Sequence, residues 1–554
     1  MAKIAEAAES AKSAAKINFF IKHLLVLSLD FFFKTLQNLN CPKIWGQFTI
    51  YNHTPPRQIL SRKFLRLFIC QKSANLEKIM TRDEFKNWLD SFLNFEKLPT
   101  KGIFWLDTME FLAKEFGNPQ DEAPCVHVAG SKGKGSVSRM ISSILAQSGK
   151  KVGLYTSPHI KDFYERVSLN GEFFSEEIYS DSADKMRKKI DALKKAALPS
   201  NRQMTWFELV TLYAFLCFKN AKTDANVFEV GLGGRLDTTN IVRPKIAVIN
   251  TIELEHTEFL GDTLEKIAGE KAGIIKEKTP VLCAAPTSQG VREAFEEAAR
   301  KKSAPLFFAD ELCDSLDYSY EKSSQDQKAN ALPNQKAAAA SDSRRQSVQY
   351  FMNVEASSKI FSRPIKARLS LLGKVQAQNA FLAAAAVRLA FPEISEDTIE
   401  RGLEAATLPA RFQTIALGGG LLVLDGAHTV NSIKGTMETF NSIFGNEKER
   451  RPFHLLFACA ADKDVHSIAP LFKGGDGSKI FNRVLITKLN SAKQSDPKKA
   501  AAAFKDAKIN FSLQEDYQAA IKEALEAAQN EGAVLLAIGS FYLASEILSG
   551  GYLT

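Results

Sequence analysis

The residues Gly130-Ser131-Lys132-Gly133-Lys134-Gly135-Ser136 lie between an apolar run and a helical pattern. Glycines let backbone N–H groups close on phosphate oxygens, and the N-terminus of the following helix adds positive potential. Lys134 is placed to reach the outer phosphates of a nucleotide, and a hydroxyl to hold Mg²⁺. The run departs from GxxxxGK[ST], because Gly135 separates Lys134 from Ser136. A glycine-rich turn before a helix is the alternative, and the flanking strand and helix argue against it. Transporters, kinases, switches and ligases share such a loop, so the loop by itself names no reaction.

In an open parallel sheet, ligands gather beyond the carboxyl ends of the strands. Here the expected strand ends carry Ser157-Pro158-His159, Glu229 followed by Gly231-Leu-Gly-Gly-Arg-Leu-Asp237, and Glu255-His256. A hydroxyl, a carboxylate and an imidazole near a triphosphate make a candidate Mg²⁺ site of Ser157, Glu229 and His256. Mg²⁺ prefers oxygen, which makes His256 the least expected of the three. Taken singly, Ser157 reads equally well as a helix cap and His256 as a loop histidine.

Lys271 is the anomaly. Thr263-LEKIAGEKAGIIK reads as a helix with Leu264, Ile267 and Ala268 on its apolar face, and Lys271 falls on that face. An inward lysine must be paired, neutral or modified. A neutral amine can add CO₂ to give a carbamate, an oxygen ligand suited to Mg²⁺. The alternatives are a lysine that snorkels outward or one paired with an acid such as Glu270.

Positioning these groups requires a particular scaffold. Strands are expected at Cys125–Ala129, Val152–Thr156, Ala225–Val230, Lys245–Thr251 and Pro280–Ala284, with a helix at Ser136–Ser148. This βαβ repetition implies an α/β fold with a mainly parallel sheet. A low-complexity stretch at about Ser315–Ser347 reads as a surface loop or insertion, and an Ala-rich helix follows at about Val375–Ala390. A second, smaller α/β alternation then begins after Pro409, with strands at Leu421–Leu424, Phe453–Cys459, Val484–Thr487 and Ala533–Ile538. The expected division is an extension at 1–79, a P-loop domain at 80–408 and a C-terminal Rossmann-like domain at 409–554. Asp425 and His428 stand after the strand at Leu421–Leu424, suited to a ribose, a base or substrate, or to capping their own loop.

With 554 residues, 45% hydrophobic and 24% charged, the chain is neither disordered nor a disulfide-stapled miniature. Seven cysteines without paired CxxC spacing point to a reducing compartment, hence the cytoplasm. The net charge of +9 is concentrated in residues 1–79, which carry 12 Lys/Arg against 4 Asp/Glu. The body is nearly balanced, so nucleic-acid binding has no support there. The extension lacks a clean cleavage site, and no run of eighteen apolar residues suggests a spanning helix. TRDEFKNWLDSFLNF after Met80 reads as an opening helix, and the working protein is expected to start near Met80.

HVAGSKGKGS, YTSPHI, FEVGLGGRLDTTN, EHTEFLGDTLEKIAGEKAGIIK, LPARF, LDGAHT and DKD, in this order, resemble the folylpolyglutamate synthase/dihydrofolate synthase family, itself similar to the Mur peptide ligases. The resemblance implies ATP-dependent addition of L-glutamate to dihydropteroate or a reduced folate through an acyl phosphate. It implies a cleft between two domains, Mg²⁺, a carboxylated Lys271 and a monomer. It assigns Lys132, Gly133, Lys134, Gly135, Ser136, Asn379, Arg411 and Asp425 to ATP, and Thr205, Trp206, Phe207, Glu208, Leu236, Asp237 and Thr238 to the pterin. Lys134, Lys271, Arg411 and His428 would serve the chemistry. The chain departs from the family pattern at Glu255 (usually Asp), Ala410 (usually Gly), Thr429 (usually Asn) and Ser131-Lys132 (commonly Thr-Asn). A Mur-type ligase for a UDP-sugar peptide and a non-ligase P-loop protein remain as alternative classes.

Overall fold

The apolar run Cys125–Ala129 forms β1, and complete burial of its five residues places it inside a sheet covered on both faces. A computed structural model of the chain describes residues 80–94, 105–193, 198–199, 202–323, 349–447, 451–490 and 495–553, all of one body, Met80–Thr554. The extension at 1–79 lies outside the described residues.

Six further strands complete the first sheet: β2 (Val152–Tyr155), β3 (Val167–Leu169), β4 (Ala225–Glu229), β5 (Ile246–Ile249), β6 (Val281–Cys283) and β7 (Leu306–Phe308). Their order is β3-β2-β4-β1-β5-β6-β7, parallel except for the β2–β3 pair. The chain leaves β1 towards β2 on one side and later fills β5 on the other. The loop after β1 therefore sits at a topological switch point, where such sheets bind ligands. In the register, Val128 lies opposite Glu229 and Val248, so Glu229, the glycine-rich loop and Asn250 emerge together.

The expected opening helix is α1 (Arg82–Asp90), where Thr81 and Glu84 form a capping box and Phe85 and Leu89 are buried. The helix after the glycine-rich loop, α2, spans Lys134–Gln147, starting two residues earlier than expected. Ser136 is thus inside the first turn. Next come α3 (Trp206–Ala221), whose Tyr213 ring meets Phe85 at 4.3 Å, and α4 (Leu264–Ala272), capped by Thr263.

The expected loop at Ser315–Ser347 is corrected by the structure. Ser315–Lys322 is a strand, β8, paired along its length with β9 (Tyr350–Ser357), which pairs in turn with β10 (Ile365–Leu369). The composition misled because β8 is an edge strand exposed along most of its length; polarity there reflects the edge position. The alternation that marks a half-buried sheet lies in β9, where Tyr350, Met352, Val354 and Ala356 are buried. Residues 324–347 of that stretch lie outside the described residues.

Helices α5 (Lys374–Ala390) and α6 (Glu396–Ala405) then cover α2. The last sheet holds β11 (Gln413–Leu417), β12 (Gly420–Leu424), β13 (Phe453–Phe457), β14 (Arg483–Ile486), β15 (Ser512–Leu513) and β16 (Val534–Ile538) in the order β11-β12-β16-β13-β14-β15. Only β11–β12 is antiparallel. One apolar cluster runs from Val137, Met140 and Ile144 of α2 through Phe381 and Leu403 to Phe440 and Phe453, joining the lobes. Among the described residues no helix is long and apolar enough to cross a membrane.

Gly402 of α6 lies against α2, and a Cβ there would stand 2.3 Å from the Cα of Ile144. Alanine gains about 1 kcal/mol in helix propensity, while overpacking against backbone costs about 1–3 kcal/mol. Gly402→Ala is expected to lower the urea midpoint of unfolding; an unchanged or higher midpoint would show that propensity wins.

Candidate active site

Gly130 and Gly133 have φ of +144° and +74°, and neither has room for a side chain. A Cβ at Gly130 would stand 2.8 Å from Asn250 Cβ, and one at Gly133 would stand 2.3 Å from Asn250 Nδ2 and 2.8 Å from Asn379 Oδ1. Asn250 Nδ2 donates to Asn379 Oδ1 at 2.8 Å, and Asn379 Nδ2 to Gln376 Oε1 at 3.1 Å. The pair braces the loop from β5 and α5. Asn379 was expected here. Asn250 was not singled out, although its signal is visible as one amide ending the apolar run Ile246–Ile249.

Three lysines meet at this loop. Lys134 Nζ donates to the Gly130 carbonyl at 2.9 Å, and Lys271 Nζ donates to the same oxygen at 3.0 Å. Lys271 Nζ also donates to Glu255 Oε1 at 3.0 Å, and Lys132 Nζ stands 3.7 Å from Glu255 Oε2. Lys271 is 1% exposed, the inward lysine the helix pattern required. Its partner is Glu255; the partner suggested by spacing, Glu270, instead binds Arg235 at 3.1 and 2.9 Å. Spacing along one helix cannot reveal an acid delivered by the loop after β5.

Burial, reinforced by Lys134, pushes the Lys271 ammonium down to about 8. For Glu255, burial acts to raise the pKa, but Lys134, Lys271 and Lys132 outweigh it and hold the carboxyl below its usual range. Glu229 goes the other way: burial pushes it up to about 7, against Lys134, the Ser157 N–H, Arg411 and Arg166. Ser157 N donates to Glu229 Oε2 at 3.0 Å, and the Glu229 carboxylate lies 3.5 Å from where a Gly135 Cβ would stand.

The predicted metal ligands are brought together in part. The described contacts join Ser157 to Glu229, while His256 stands on the loop after β5 with Glu255 as an electrostatic neighbour. Among the described residues no three His, Cys, Asp or Glu side chains gather as a metal centre. A buried carboxylate with a serine beside it, facing a phosphate-type loop, nonetheless fits a hard, oxygen-seeking cation.

From the second lobe, Arg411 lies 4.3 Å above the Phe541 ring and donates to Ala410 O at 3.2 Å. Its charge interacts with Asp425 of its own lobe and, across the lobes, with Glu229. Asp425 accepts from Phe412 N at 2.8 Å and Ala427 N at 2.7 Å, which makes it the clamp of the Arg411 loop. Burial, reinforced by Lys132, holds His428 down to about 4, so its ring is neutral; Nδ1 sits 2.8 Å from Gly426 O. Thr429 caps the helix α7 (Val430–Phe444) in a box with Ser432.

The segments expected to contact a pterin are largely occupied within the fold. Thr205 N and Oγ1 donate to Glu208 Oε2 at 2.7 and 2.8 Å, capping α3. Trp206 Nε1 donates to Asp90 at 3.1 Å, with the buried Arg166 guanidinium 5.0 Å over its ring. Phe207 packs beneath Gly231, where a Cβ would stand 2.3 Å from Cζ. Leu236 is half-buried, Asp237 accepts from Gly231 N and Leu232 N at 3.0 Å, and the Thr238 hydroxyl meets Thr211 at 2.6 Å. Arg166, whose Nε donates to His159 Nδ1 at 2.8 Å, was missed; its only signal is a charge ending the turn just before the short strand Val167–Leu169.

A phosphate-type loop on one α/β lobe and a buried arginine loop on another define a two-lobed ligase of the Mur type. Residues 128–387 match the Mur ligase middle domain, and residues 410–541 the Mur ligase glutamate ligase domain. The chain is 30% identical over 467 residues to the dihydrofolate synthase/folylpolyglutamate synthase of Bacillus subtilis, covering 83% of this chain and 97% of that one. The folylpolyglutamate synthase structure from Thermotoga maritima superposes with a TM-score of 0.64 at 27% identity, over 84% of this chain and 95% of that one. Escherichia coli FolC in complex with DHPP and ADP gives 0.64 at 25% identity, over 84% and 97%. The chain belongs to the dihydrofolate synthase/folylpolyglutamate synthase family.

The raised pKa of Glu229 carries a stability consequence. Between the unfolded value of 4.5 and about 7, the native state binds more protons than the unfolded one, so stability falls as pH rises through this window. Glu229→Gln in nucleotide-free, metal-free protein is expected to raise Tm at pH 8, by a contribution on the order of 2 kcal/mol. The gain should vanish towards pH 4.5, as differential scanning across pH would show.

Proposed function

We propose that the chain is an ATP-dependent ligase that joins L-glutamate to dihydropteroate or a reduced folate. The observation that carries this reading is Arg411, a second-lobe guanidinium whose charge acts on Glu229 beside the glycine-rich loop of the first lobe. A carboxylate is a poor electrophile because oxide is a poor leaving group. Transfer of the γ-phosphoryl group to the acceptor carboxylate makes an acyl phosphate; the glutamate amine attacks it and phosphate leaves.

Lys132, Lys134 and the loop N–H groups hold the phosphate chain, with Asn379 and Asn250 fixing the loop. Lys134 and Arg411 spread the charge of the transferring group from opposite lobes. Arg411 reaches it only when the lobes meet, which excludes water from the acyl phosphate. Glu229 and Ser157, with His256 nearby, would hold Mg²⁺, which supplies charge neutralisation for phosphate oxygens. His428, neutral and clamped through Gly426, positions substrate, as do the segments at Thr205–Glu208 and Leu236–Thr238. Five free cysteines among the described residues fit action in the cytoplasm.

The test is incubation with ATP, Mg²⁺ and L-glutamate plus dihydropteroate, tetrahydrofolate or a UDP-sugar peptide acceptor in separate arms. ADP with an amide product in a pterin arm is expected; product only in the UDP-sugar arm, or acceptor-independent ATP turnover, would overturn the reading. Arg411→Ala is expected to lower kcat by about 10²–10³-fold.

Lys271 is our candidate for carboxylation. Its lowered pKa makes the neutral amine accessible near neutral pH, and addition of CO₂ forms the N–C bond with loss of one proton. Glu255 and the Gly130 carbonyl hold the competing ammonium form. Lys271→Ala should abolish most turnover, with partial recovery by small added carboxylates; wild-type rates in the variant would remove the carbamate from the scheme.

A further inference from the structure

His127 is fully buried in β1, three residues before the glycine-rich loop, and the mechanism above does not use it. Its Nε2 lies 2.8 Å from Thr239 Oγ1. The same hydroxyl donates to Asp237 Oδ1 at 2.5 Å. Asp237 Oδ1 also accepts from Thr239 N at 3.0 Å, and Oδ2 accepts from Gly231 N and Leu232 N at 3.0 Å.

Proton counting fixes the direction of this chain. A threonine hydroxyl has one hydrogen, and the carboxylate, with donors at all its other contacts, takes it. Thr239 can therefore only accept from His127, so the ring must be the neutral Nε2–H tautomer. Burial, with Lys276 adding to it, pushes the His127 pKa down to about 3, in keeping with a neutral ring. The tautomer leaves Nδ1 a bare acceptor, and Nδ1 is buried without a hydrogen-bond partner among the described residues.

The far end of the chain is the loop Gly231–Leu236. It is wedged between Phe207 of α3, which a Gly231 Cβ would strike, and α4, where a Gly234 Cβ would stand 3.0 Å from Lys271 Cα. Arg235 N donates to Glu270 O at 2.8 Å, fastening the loop to the helix that carries Lys271. The Asp237 carboxylate thus fixes the turn between the acceptor segments and the lysine cluster.

We propose that His127 is a positioning residue for the acceptor substrate: through Thr239 and Asp237 it sets the loop Gly231–Leu236 from inside the sheet. The proposal rests on the reading that this loop and Thr205–Glu208 face the pterin acceptor. The phosphate loop, although adjacent in sequence, is braced separately by Asn250 and Asn379. A defect at His127 should therefore reach the acceptor and spare ATP.

The test is steady-state kinetics of the full chain with the pterin acceptor and ATP varied separately. Glutamine can place an amide N–H near the position of imidazole Nε2, whereas phenylalanine fills the space without a donor. His127→Phe is expected to raise the acceptor KM about tenfold, the effect of one lost hydrogen bond of ~1.4 kcal/mol, with the ATP KM nearly unchanged. His127→Gln should recover most of that loss, and Thr239→Val should reproduce it without adding to it in the double variant. Equal rises in both KM values without recovery by glutamine, or a wild-type acceptor KM in His127→Phe, would overturn the proposal. Should His127→Phe not fold, Thr239→Val carries the same comparison. If the unaltered chain makes no amide with a pterin acceptor, the functional reading fails instead. Imidazole ¹⁵N NMR at neutral pH, assigned by difference from His127→Gln, then still decides the hydrogen-bond chain: protonated Nε2 supports it and protonated Nδ1 overturns it.

Discussion

Three ammonium groups crowd the carboxyl end of one buried strand, and the rest of the site is arranged around that crowding. Lys134 and Lys271 share the Gly130 carbonyl, and Glu255 is the acid that Lys271 and Lys132 both approach. Like charges this close repel strongly wherever water is excluded. The cluster holds because a carbonyl and a carboxylate lie between the lysines, and because the loop cannot shift: Asn250 and Asn379 fill the space that side chains at Gly130 and Gly133 would need. An excess of fixed positive charge with backbone N–H groups beside it is a receptor for a polyanion. The second lobe contributes more positive charge, through Arg411.

The acids divide their roles by environment. Glu255, ion-paired with Lys271 at 3.0 Å, is held ionised, whereas Glu229, more deeply buried, resists ionisation up to about 7. Asp425 and Asp237 are raised by burial but are each given several backbone donors. Those two carboxylates shape loops, one presenting Arg411 and the other closing the Gly231–Leu236 turn. Two acids therefore bear on charge in the cleft, and two hold the backbone that frames it.

Much of this was legible in the chain. The buried parallel strands announced themselves as short apolar runs, and the glycine-rich loop was readable because a strand precedes it and a helix follows. Lys271 was found because a charge on an apolar helical face breaks a pattern. What escaped was set by partners remote in sequence. Glu255 reaches Lys271 from another loop, Asn250 looks like the end of a strand, and β8 hides its sheet behind an exposed edge. The segment Thr205–Glu208 shows the converse. Its capping box is a local pattern with a local explanation, so composition alone could not say whether the residues bind a ligand or start a helix.

The departures from the family pattern can be weighed the same way. Ala410 stands where glycine is usual, and it adopts φ 54°, with Phe412 at φ 48°. A left-handed conformation costs a residue with a Cβ about 1–2 kcal/mol, so the Arg411 loop carries strain on both sides of its arginine. Against this stand the Phe412 N–H bond to the Asp425 carboxylate at 2.8 Å and the Gly426 N–H bond to the Ala410 carbonyl at 3.0 Å. Bonds to a charged acceptor contribute about 1.5–3 kcal/mol each. The clamp is of the size needed to offset the strain, so loss of the glycine need not displace Arg411. It also makes Asp425 indispensable to the loop: with alanine at 410, the backbone has less freedom to find this shape without the carboxylate.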